Sequence, residues 1–282
     1  MKERIQKLLA VAAISSSRRE AERWIADGRI SLNGKLAVLG DRADHQDDLR
    51  LDGRPVKLDD AGKSRRVLAY NKPVGEVCTR TDPEGRATVF DHLPKTRGER
   101  WINVGRLDIN TSGLLLFTTD GDLANRLMHP SSGVDREYAV RVRGLVDEAM
   151  TERLKAGVLL DDGMAKFTDV QYFDGEGQNK WYHVALMEGR NREVRRLWES
   201  QGVEVSRLKR VRYGCIFLPS NIPVGTWVEL GQKELNDLSD SVGLERKRVR
   251  RLLGKEKKNF QRQQQRQKIR QHANGPRKKS DA

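Results

Sequence analysis

One aspartate, Asp108, lies in a polar loop directly ahead of the most apolar run in the chain. The surrounding stretch reads NVGRLDINTSGLLLFTTDGDLANRL from Asn103 onward, and Gly105 and Gly113 bracket the aspartate. Loops held between rigid elements often carry reactive groups. An aspartate in such a loop also commonly bonds its own backbone as an Asx turn. Asp108 is therefore a candidate catalytic carboxylate, with a turn residue as the alternative interpretation.

Two further side chains could act together with this carboxylate. In REYAVRVRG, Tyr138 alternates with Val140 and Val142, which predicts that it lies on the apolar face of a strand. A core tyrosine with a satisfied hydroxyl is the simpler interpretation of that pattern. In EGRNREVRRLWESQG, a helical wheel places Arg195 beside the apolar face. A partly buried guanidinium needs a counter-charge, and Asp108 is a candidate partner for it.

The elements that must position these residues are strands in runs, with a few helices between them. The run from Leu114 to Thr119 predicts a buried strand, and TTDGD ends it at a turn that offers Asp122 as the cap of a helix over LANRLMHP. Further strands are predicted in VLAYNKPVG, REYAVRVRG, WYHVALMEG, RLKRVRYGCIFL and GTWVEL, and helices in DEAMTERLKAG and REVRRLWESQG. This order favours an α+β domain with a mixed or antiparallel sheet.

The N-terminal segment predicts a small separate unit of two helices and a hairpin. Ser17 and Glu20 form a capping box for the second helix, and the Asn-Gly pair in ISLNGKLAV is a strong hairpin signal. A solvated surface, a helix that reads DNA or an RNA-binding surface would each explain the basic residues of this unit. These residues are Lys7, Arg18, Arg19, Arg23, Arg29 and Lys35.

The positive charge of the chain is concentrated at its C-terminal end. The formal net charge is +14, and residues 246–282 hold 15 Lys and Arg against two acidic residues, which is +13 of that total. This segment has too few apolar residues to fold alone, so we predict a disordered basic tail. Such a tail can act as an electrostatic arm for nucleic acid.

Several classes of function lose support because their motifs are missing. The sequence contains no P-loop, G-x-G-x-x-G or H-E-x-x-H motif, its five histidines lack metal-ligand spacing, and Cys78 and Cys215 form no C-x-x-C pair. We expect two buried thiols and no metal. No apolar run approaches the roughly 20 residues of a membrane span, and the N-terminus does not resemble a signal peptide. We therefore expect a cytoplasmic monomer that does not bind membranes.

Taken in order, the motifs resemble one family. The segment RIQKLLAVAAISSSRREAERWIADGRISLNG is similar to an S4 domain, a small RNA-binding module. YNKPVG, GRLDINTSGLLLFTTDG, REYAV and ALMEGRNREVRRL then follow the order and approximate spacing of bacterial ribosomal RNA pseudouridine synthases of the RsuA/RluB branch. The resemblance covers about residues 1–240. It implies an S4-like domain (1–60), a linker (61–66), a pseudouridine synthase domain (67–245) and the tail (246–282).

The resemblance also implies roles for particular residues. Asp108 would be the catalytic carboxylate, Tyr138 the aromatic that stacks on the target base, and Arg195 the positive partner of Asp108. In substrate binding, Arg106 would help to splay the RNA and Leu186 would pack behind the base. Lys72 is grouped with them and belongs to the family's first motif, whose role would be mainly structural. The N-terminal basic residues would contact RNA phosphates together with Arg192 and Arg196.

The chemistry implied by the resemblance needs no cofactor, because uridine and pseudouridine contain the same atoms. The expected partner is ribosomal RNA, free or in an assembling subunit. Overall likeness and the long basic tail favour the type within this branch that acts on large-subunit (23S) RNA over relatives that act on small-subunit (16S) RNA. A non-catalytic ribosome assembly factor is the alternative, since it would also use an S4-like domain and a basic tail. A glycoside hydrolase would want a second positioned carboxylate, and none stands out.

Overall fold

The N-terminal domain consists of two short helices packed on small sheets, as its sequence predicts. The computed structural model of the protein describes residues 2–56, 58, 64–96, 99–249, 258 and 260–262. The first elements are β1 (Glu3–Arg4), α1 (Ile5–Val11), α2 (Arg18–Ala26), β2 (Ile30–Leu32), β3 (Lys35–Leu36), β4 (Arg42–Ala43), β5 (Leu49–Leu51) and β6 (Arg54–Pro55). Strand β1 pairs with β4, and the other strands form a sheet in the order β3-β2-β5-β6. Ile5, Leu9, Ile25 and Ile30 are in its buried core.

Local signals in this domain have the predicted effect. The Ser17 hydroxyl accepts a hydrogen bond from the Glu20 amide at 3.0 Å, and the Glu20 carboxylate accepts one from the Ser16 amide. Asn33 and Gly34 have φ values of 50° and 81°, the left-handed conformation that a two-residue hairpin turn requires between β2 and β3. The predicted cap and the predicted hairpin are both confirmed.

The second domain contains most of the chain. Its strands are β7 (Ser64–Arg65), β8 (Val67–Lys72), β9 (Ile102–Val104), β10 (Ser112–Thr118), β11 (Arg136–Arg143), β12 (Val158–Leu160), β13 (Gly163–Ala165), β14 (Asp169–Glu176), β15 (Asn179–Leu186), β16 (Glu204–Tyr213), β17 (Ile216–Phe217), β18 (Trp227–Glu229) and β19 (Arg248–Val249). Its helices are α3 (Gly121–Met128), α4 (Glu148–Ala156), α5 (Glu193–Glu199) and α6 (Gln232–Ser241), with a 3-10 turn at Pro130–Ser132.

Most of these strands form one mixed sheet, which confirms the predicted α+β class. Within the described residues its order is β14-β15-β11-β16-β10-β8-β18, with β9 beside β10 and β17 beside β16. Strands β10 and β16 run parallel, and the remaining neighbours are antiparallel. Alternate residues of β8 and β10 enter two different apolar cores, so both faces of this half of the sheet are covered. No helix in the described part of the chain is long and apolar enough to cross a membrane.

Two local predictions are wrong. Helix α3 is capped by Asp120, whose carboxylate accepts hydrogen bonds from the amides of Asp122 and Leu123, because Asp120 is the residue that precedes the first helical turn. Asp122 therefore lies inside the helix. Both cysteines are free, but neither is fully buried as predicted: Cys78 is half-buried, and Cys215 is exposed since it lies in the tight turn between β16 and β17.

The structure also describes parts of the predicted linker and tail. Arg65 and Arg66 are almost fully buried in the second domain, and their guanidinium groups pair with Asp120 and Glu229. Strand β19 pairs with β7, and the ring centroid of Phe260 lies 5.0 Å from that of Trp227. The disorder predicted for residues 250–257, 259 and 263–282, and the linker prediction for residues 61–63, lie outside the described residues.

Candidate active site

A cleft of about 540 Å³ opens at the start of β11 and the ends of β15 and β16. Two loops complete its walls, one after β9 and one between β15 and α5. The cleft brings together residues that are far apart in the sequence. The predicted site residues that line it are Arg106, Asp108, Tyr138, Leu186 and Arg192.

The loop that carries Asp108 is held by its backbone. The Thr111 amide donates to the Asp108 carbonyl at 3.0 Å, and the Gly75 amide donates to the Ile109 carbonyl at 2.8 Å. One residue before Asp108, the Leu107 amide and carbonyl both bond the Cys78 thiol. These contacts fix the direction in which the Asp108 side chain leaves the loop.

The Asp108 carboxylate is uncommitted, in the sense that it forms no ion pair and no hydrogen bond within the described part of the chain. It lines the cleft and is half-buried. Among the described residues no side chain forms an ion pair with it, and no backbone amide donates to it. The Asx turn that the sequence left open is therefore absent. A carboxylate on a fixed loop, facing a cleft and bonded to no protein group, can act on a bound molecule as a base or as a nucleophile.

Lys72 lies behind this loop, a position that fits the mainly structural role implied for the family's first motif and not a direct contact with substrate. Its side chain is fully buried, and its ammonium donates to the carbonyls of Pro73, Asp108 and Thr111 at 2.9, 3.2 and 3.0 Å. Burial lowers the pKa of Lys72, and the neighbouring Cys78, Glu76 and Asp108 charges act in the opposite direction. Because no part of Lys72 reaches the surface, it can position the Asp108 loop but cannot touch RNA in this conformation.

Arg195 does not form the direct ion pair with Asp108 that the sequence predicts. It is 7% exposed, and its guanidinium donates to the carbonyls of Val205 and Asn110 at 2.8 and 2.9 Å. Two backbone carbonyls thus bond the buried cation, one of them from the Asp108 loop, while Arg195 Nε has no hydrogen-bond partner among the described residues. Burial lowers the pKa of Arg195 and Arg192 lowers it further, whereas the Asp108 charge raises it. Arg195 therefore holds the loop through a hydrogen bond, and it interacts with the Asp108 carboxylate only by charge attraction over a distance.

Tyr138 and Leu186 belong to the apolar part of the cleft. Tyr138 is 8% exposed, and its cross-strand neighbours are Val184 on β15 and Arg210 on β16. Leu186 is almost fully buried at the end of β15. The predicted placement of Tyr138 on the apolar face of its strand is correct, and the ring still borders the cleft. Arg106, in the loop that carries Asp108, is exposed.

Sequence reasoning missed three arginines that line the cleft: Arg136, Arg190 and Arg210. Two of them had a signal. Arg136 is two residues before Tyr138 and Arg210 is two residues after Leu208, so strand alternation places each on the face of a cleft residue. Arg190 had no such signal, because it lies in the loop before α5, where its guanidinium bonds the Glu188 carboxylate and the Met164 carbonyl.

The predicted RNA-binding residues differ in whether their charges are paired with carboxylates. Four are exposed and form no ion pair within the described part of the chain: Arg18, Arg19, Arg23 and Lys35. The others pair with carboxylates, namely Lys7 with Glu3 and Asp122, Arg29 with Asp52, Arg192 with Glu199, and Arg196 with Asp162. The Lys7–Asp122 pair joins the N-terminal domain to α3. Most exposed ion pairs are weak, so these cations can still exchange partners with phosphate.

The described residues contain no group of three or more His, Cys, Asp and Glu side chains that could hold a metal ion. The side chains that the cleft offers for chemistry are the Asp108 carboxylate, Tyr138 and the surrounding arginines. Such a set can bind a polyanion, hold an aromatic base against Tyr138 and present Asp108 to it.

Comparisons with known proteins show the families to which the two domains are similar. The family model for RNA pseudouridylate synthase matches residues 66–200, and the S4 domain model matches residues 3–49. A Pseudomonas aeruginosa protein named ribosomal large subunit pseudouridine synthase B is 58% identical over 94% of this chain and 69% of its own length. The Escherichia coli protein of the same name is 59% identical over 86% of this chain and 84% of its own length.

A solved structure described as a pseudouridylate synthase has the same fold. It aligns with a TM-score of 0.59 and 23% identity, and the match covers 83% of this chain and 99% of the other. The family models and the relatives together account for both domains in their order along the chain. The chain therefore belongs to the RNA pseudouridylate synthase family of enzymes, as a member with an N-terminal S4 domain.

Proposed function

We propose that the protein isomerises a uridine of large-subunit ribosomal RNA to pseudouridine, with Asp108 as the catalytic carboxylate. The observation that carries this proposal is the uncommitted Asp108 carboxylate, which faces the cleft from a loop whose backbone is held by Thr111 and Lys72. The names of the relatives support large-subunit RNA as the substrate class.

The reaction breaks the bond between uracil N1 and ribose C1′ and forms one between uracil C5 and C1′. A proton leaves C5, and N1 ends with a proton, so reactant and product contain the same atoms and no oxidant, reductant or energy source is consumed. An ionised Asp108 can begin the reaction by attacking the sugar or the base, or by removing a ribose proton. Both routes place the glycosidic bond of the target within reach of the carboxylate.

The target uridine must leave its stack before Asp108 can reach it. The Tyr138 ring supplies a face for the displaced base, and stacking of this kind recovers about 1–3 kcal/mol per base. Leu186 packs behind the base, and Arg106 on the exposed loop enters the space that the uridine leaves. Once the base has turned, the Tyr138 hydroxyl can assist removal of the C5 proton.

In this proposal the other predicted residues bind RNA phosphates or position the Asp108 loop. Arg195 keeps the Asp108 loop in place through its hydrogen bond to the Asn110 carbonyl. The exposed arginines of α2 contact the phosphates of folded RNA, together with Lys7, Arg29, Lys35, Arg192 and Arg196. Phosphate contacts of this kind fix the position of the enzyme without reading sequence.

The proposal is tested by tritium release from ribosomal RNA labelled at uridine C5, with large- and small-subunit RNA in separate reactions. Wild-type protein should release tritium from large-subunit RNA, and Asp108→Asn should bind that RNA with similar affinity but release none. Asp174→Asn, which removes an exposed carboxylate on β14, is the matched control and should behave as wild type.

Three outcomes would contradict parts of this proposal. Release by Asp108→Asn near the wild-type rate would remove Asp108 from the chemistry. Release from small-subunit RNA alone would change the substrate. Tight binding without release from either RNA would favour the assembly-factor alternative.

Tyr138→Phe separates the hydroxyl from the ring, and we expect it to keep RNA affinity while turnover falls.

A further inference from the structure

Buried arginines in this protein fall into two groups that differ in their counter-charges. Within the described residues, five arginines are at most 8% exposed: Arg65, Arg66, Arg136, Arg195 and Arg210. Arg65 and Arg66 each pair with a carboxylate, as buried cations normally do. The three near the cleft form no ion pair with any described residue. A polyanionic ligand would supply the negative charge that these three arginines lack.

Arg136 and Arg210 belong to one structural unit. The Cζ atom of each lies 5.0 Å from the centroid of the Tyr213 ring, and both side chains line the cleft. Arg136 is held by the carbonyls of Val134 and Met187, at 2.7 and 2.9 Å. Fixed carbonyls and a stacked ring keep the cations in place while no ligand is bound.

Arg210 is the less satisfied of the two. Its Nε donates to the Leu114 carbonyl at 2.8 Å, which leaves the other end of the guanidinium for further bonds. The Nη2 atom is buried and has no hydrogen-bond partner in the described part of the chain. A planar guanidinium with free N–H groups matches the geometry of a phosphate.

We propose that Arg136 and Arg210, stacked on Tyr213, bind a phosphodiester group of the RNA next to the target uridine. Arg210 is the cross-strand neighbour of Tyr138, so a phosphate held there lies beside the nucleotide whose base stacks on that ring. A uracil carbonyl could accept a hydrogen bond from Arg210 but would not neutralise two buried cations. This inference rests on the proposed function, since it takes RNA as the ligand.

The test is a coupling experiment between a protein variant and a single RNA linkage. RNA hairpins that contain the mapped target uridine would carry a neutral methylphosphonate at the linkage on its 5′ side or on its 3′ side. Binding would be measured by fluorescence anisotropy, with every protein in the Asp108→Asn background so that no turnover occurs. The proteins are this reference, Arg210→Met and Arg136→Met. The control is Arg207→Met, which changes an exposed arginine of the same strand, β16.

We expect RNA binding to depend on the negative charge of one of the two linkages. Its neutralisation should weaken binding to the reference and to Arg207→Met about tenfold or more, since hydrogen bonds to charged groups contribute about 1.5–3 kcal/mol. In Arg210→Met and Arg136→Met the same change should weaken binding less than about twofold, because the contact is already lost.

Equal losses in all proteins at both linkages, or no loss in the reference at either, would overturn the phosphate site. Because Arg210 also bonds the Leu114 carbonyl, thermal unfolding would first establish that Arg210→Met is folded. If it is not, the reference and Arg136→Met still decide. Failure of the proposed function is a separate result, since it would be seen as absence of tritium release by wild-type protein.

Discussion

Asp120 connects a helix cap to two cations from distant parts of the chain. Its carboxylate caps α3 and also pairs with Arg65 and Lys247, each at 2.9 Å. Burial alone would raise the pKa of Asp120, but the Lys247 hydrogen bond and the Arg65 charge outweigh it and lower the pKa from 3.8 to about 2. We predict that Asp120→Asn, which retains a capping oxygen but removes the charge, destabilises the protein in a pH-dependent way.

The magnitude follows from the lowered pKa of Asp120. A carboxyl with a pKa of about 2 when folded and 3.8 when unfolded stabilises the folded state by about 2.5 kcal/mol at neutral pH. This contribution is fully present above pH 5 or so and is lost as pH falls through the folded pKa, with about 1.3 kcal/mol left at pH 3. Asparagine resembles the protonated carboxyl, so the variant should lack the contribution at every pH.

The assay is urea unfolding of wild type and Asp120→Asn at pH 7 and at pH 3. The difference in the free energy of unfolding should be about 2.5 kcal/mol at pH 7 and about half that at pH 3. Asp122→Asn is the control, because its carboxylate is 54% exposed and pairs only with Lys7 among the described residues. It should cost less than about 1 kcal/mol. A difference for Asp120→Asn that is the same at both pH values would refute the reasoning.

Three further predictions concern the loop, the tail and the thiols. Lys72→Met should lower the rate of tritium release much more than RNA affinity, because it frees the Asp108 carbonyl; an unchanged rate would contradict the positioning role. Deleting residues 263–282 removes six Lys and Arg and one Asp, and it should weaken RNA binding and flatten its salt dependence without changing thermal stability. Deletion from Arg246 should also lower stability, since it removes Lys247, and equal melting temperatures of the two deletions would exclude this. A maleimide should label Cys215 well before Cys78, which is checked by peptide mass spectrometry.

Elements with strong local signals were predictable from the sequence. The Ser17 cap, the hairpin at Asn33-Gly34 and the strands on both sides of Asp108 depend on side chains within a few residues of each other. Their formation does not depend on which distant segment packs against them. Tyr138 was placed on the correct face for the same reason, because alternation along a strand is a local property.

Contacts between distant segments were not predictable in this way. For Arg195, the sequence suggests a carboxylate partner, but the chain places the carbonyls of Val205 and Asn110 beside it. Lysine is rarely buried, so nothing in YNKPVG indicates that Lys72 is fully enclosed by three carbonyls. Alternation places Arg210 on the same face of β16 as Leu208, but that this face borders the cleft depends on the pairing of β16 with β10 and β11, which no local pattern encodes.

The way in which the Asp108 loop is held bears directly on its chemistry. A direct ion pair with Arg195 would occupy the carboxylate that reacts in the proposed function. Bonds from Lys72 and Arg195 to backbone carbonyls fix the loop instead, and they leave both carboxylate oxygens without a partner among the described residues. An ionised Asp108 repels RNA phosphates, and the cations of Arg136 and Arg210 in the same cleft offset that repulsion. If the two proposals hold, arginines without a protein counter-charge allow a reactive carboxylate and a phosphodiester to share one cleft.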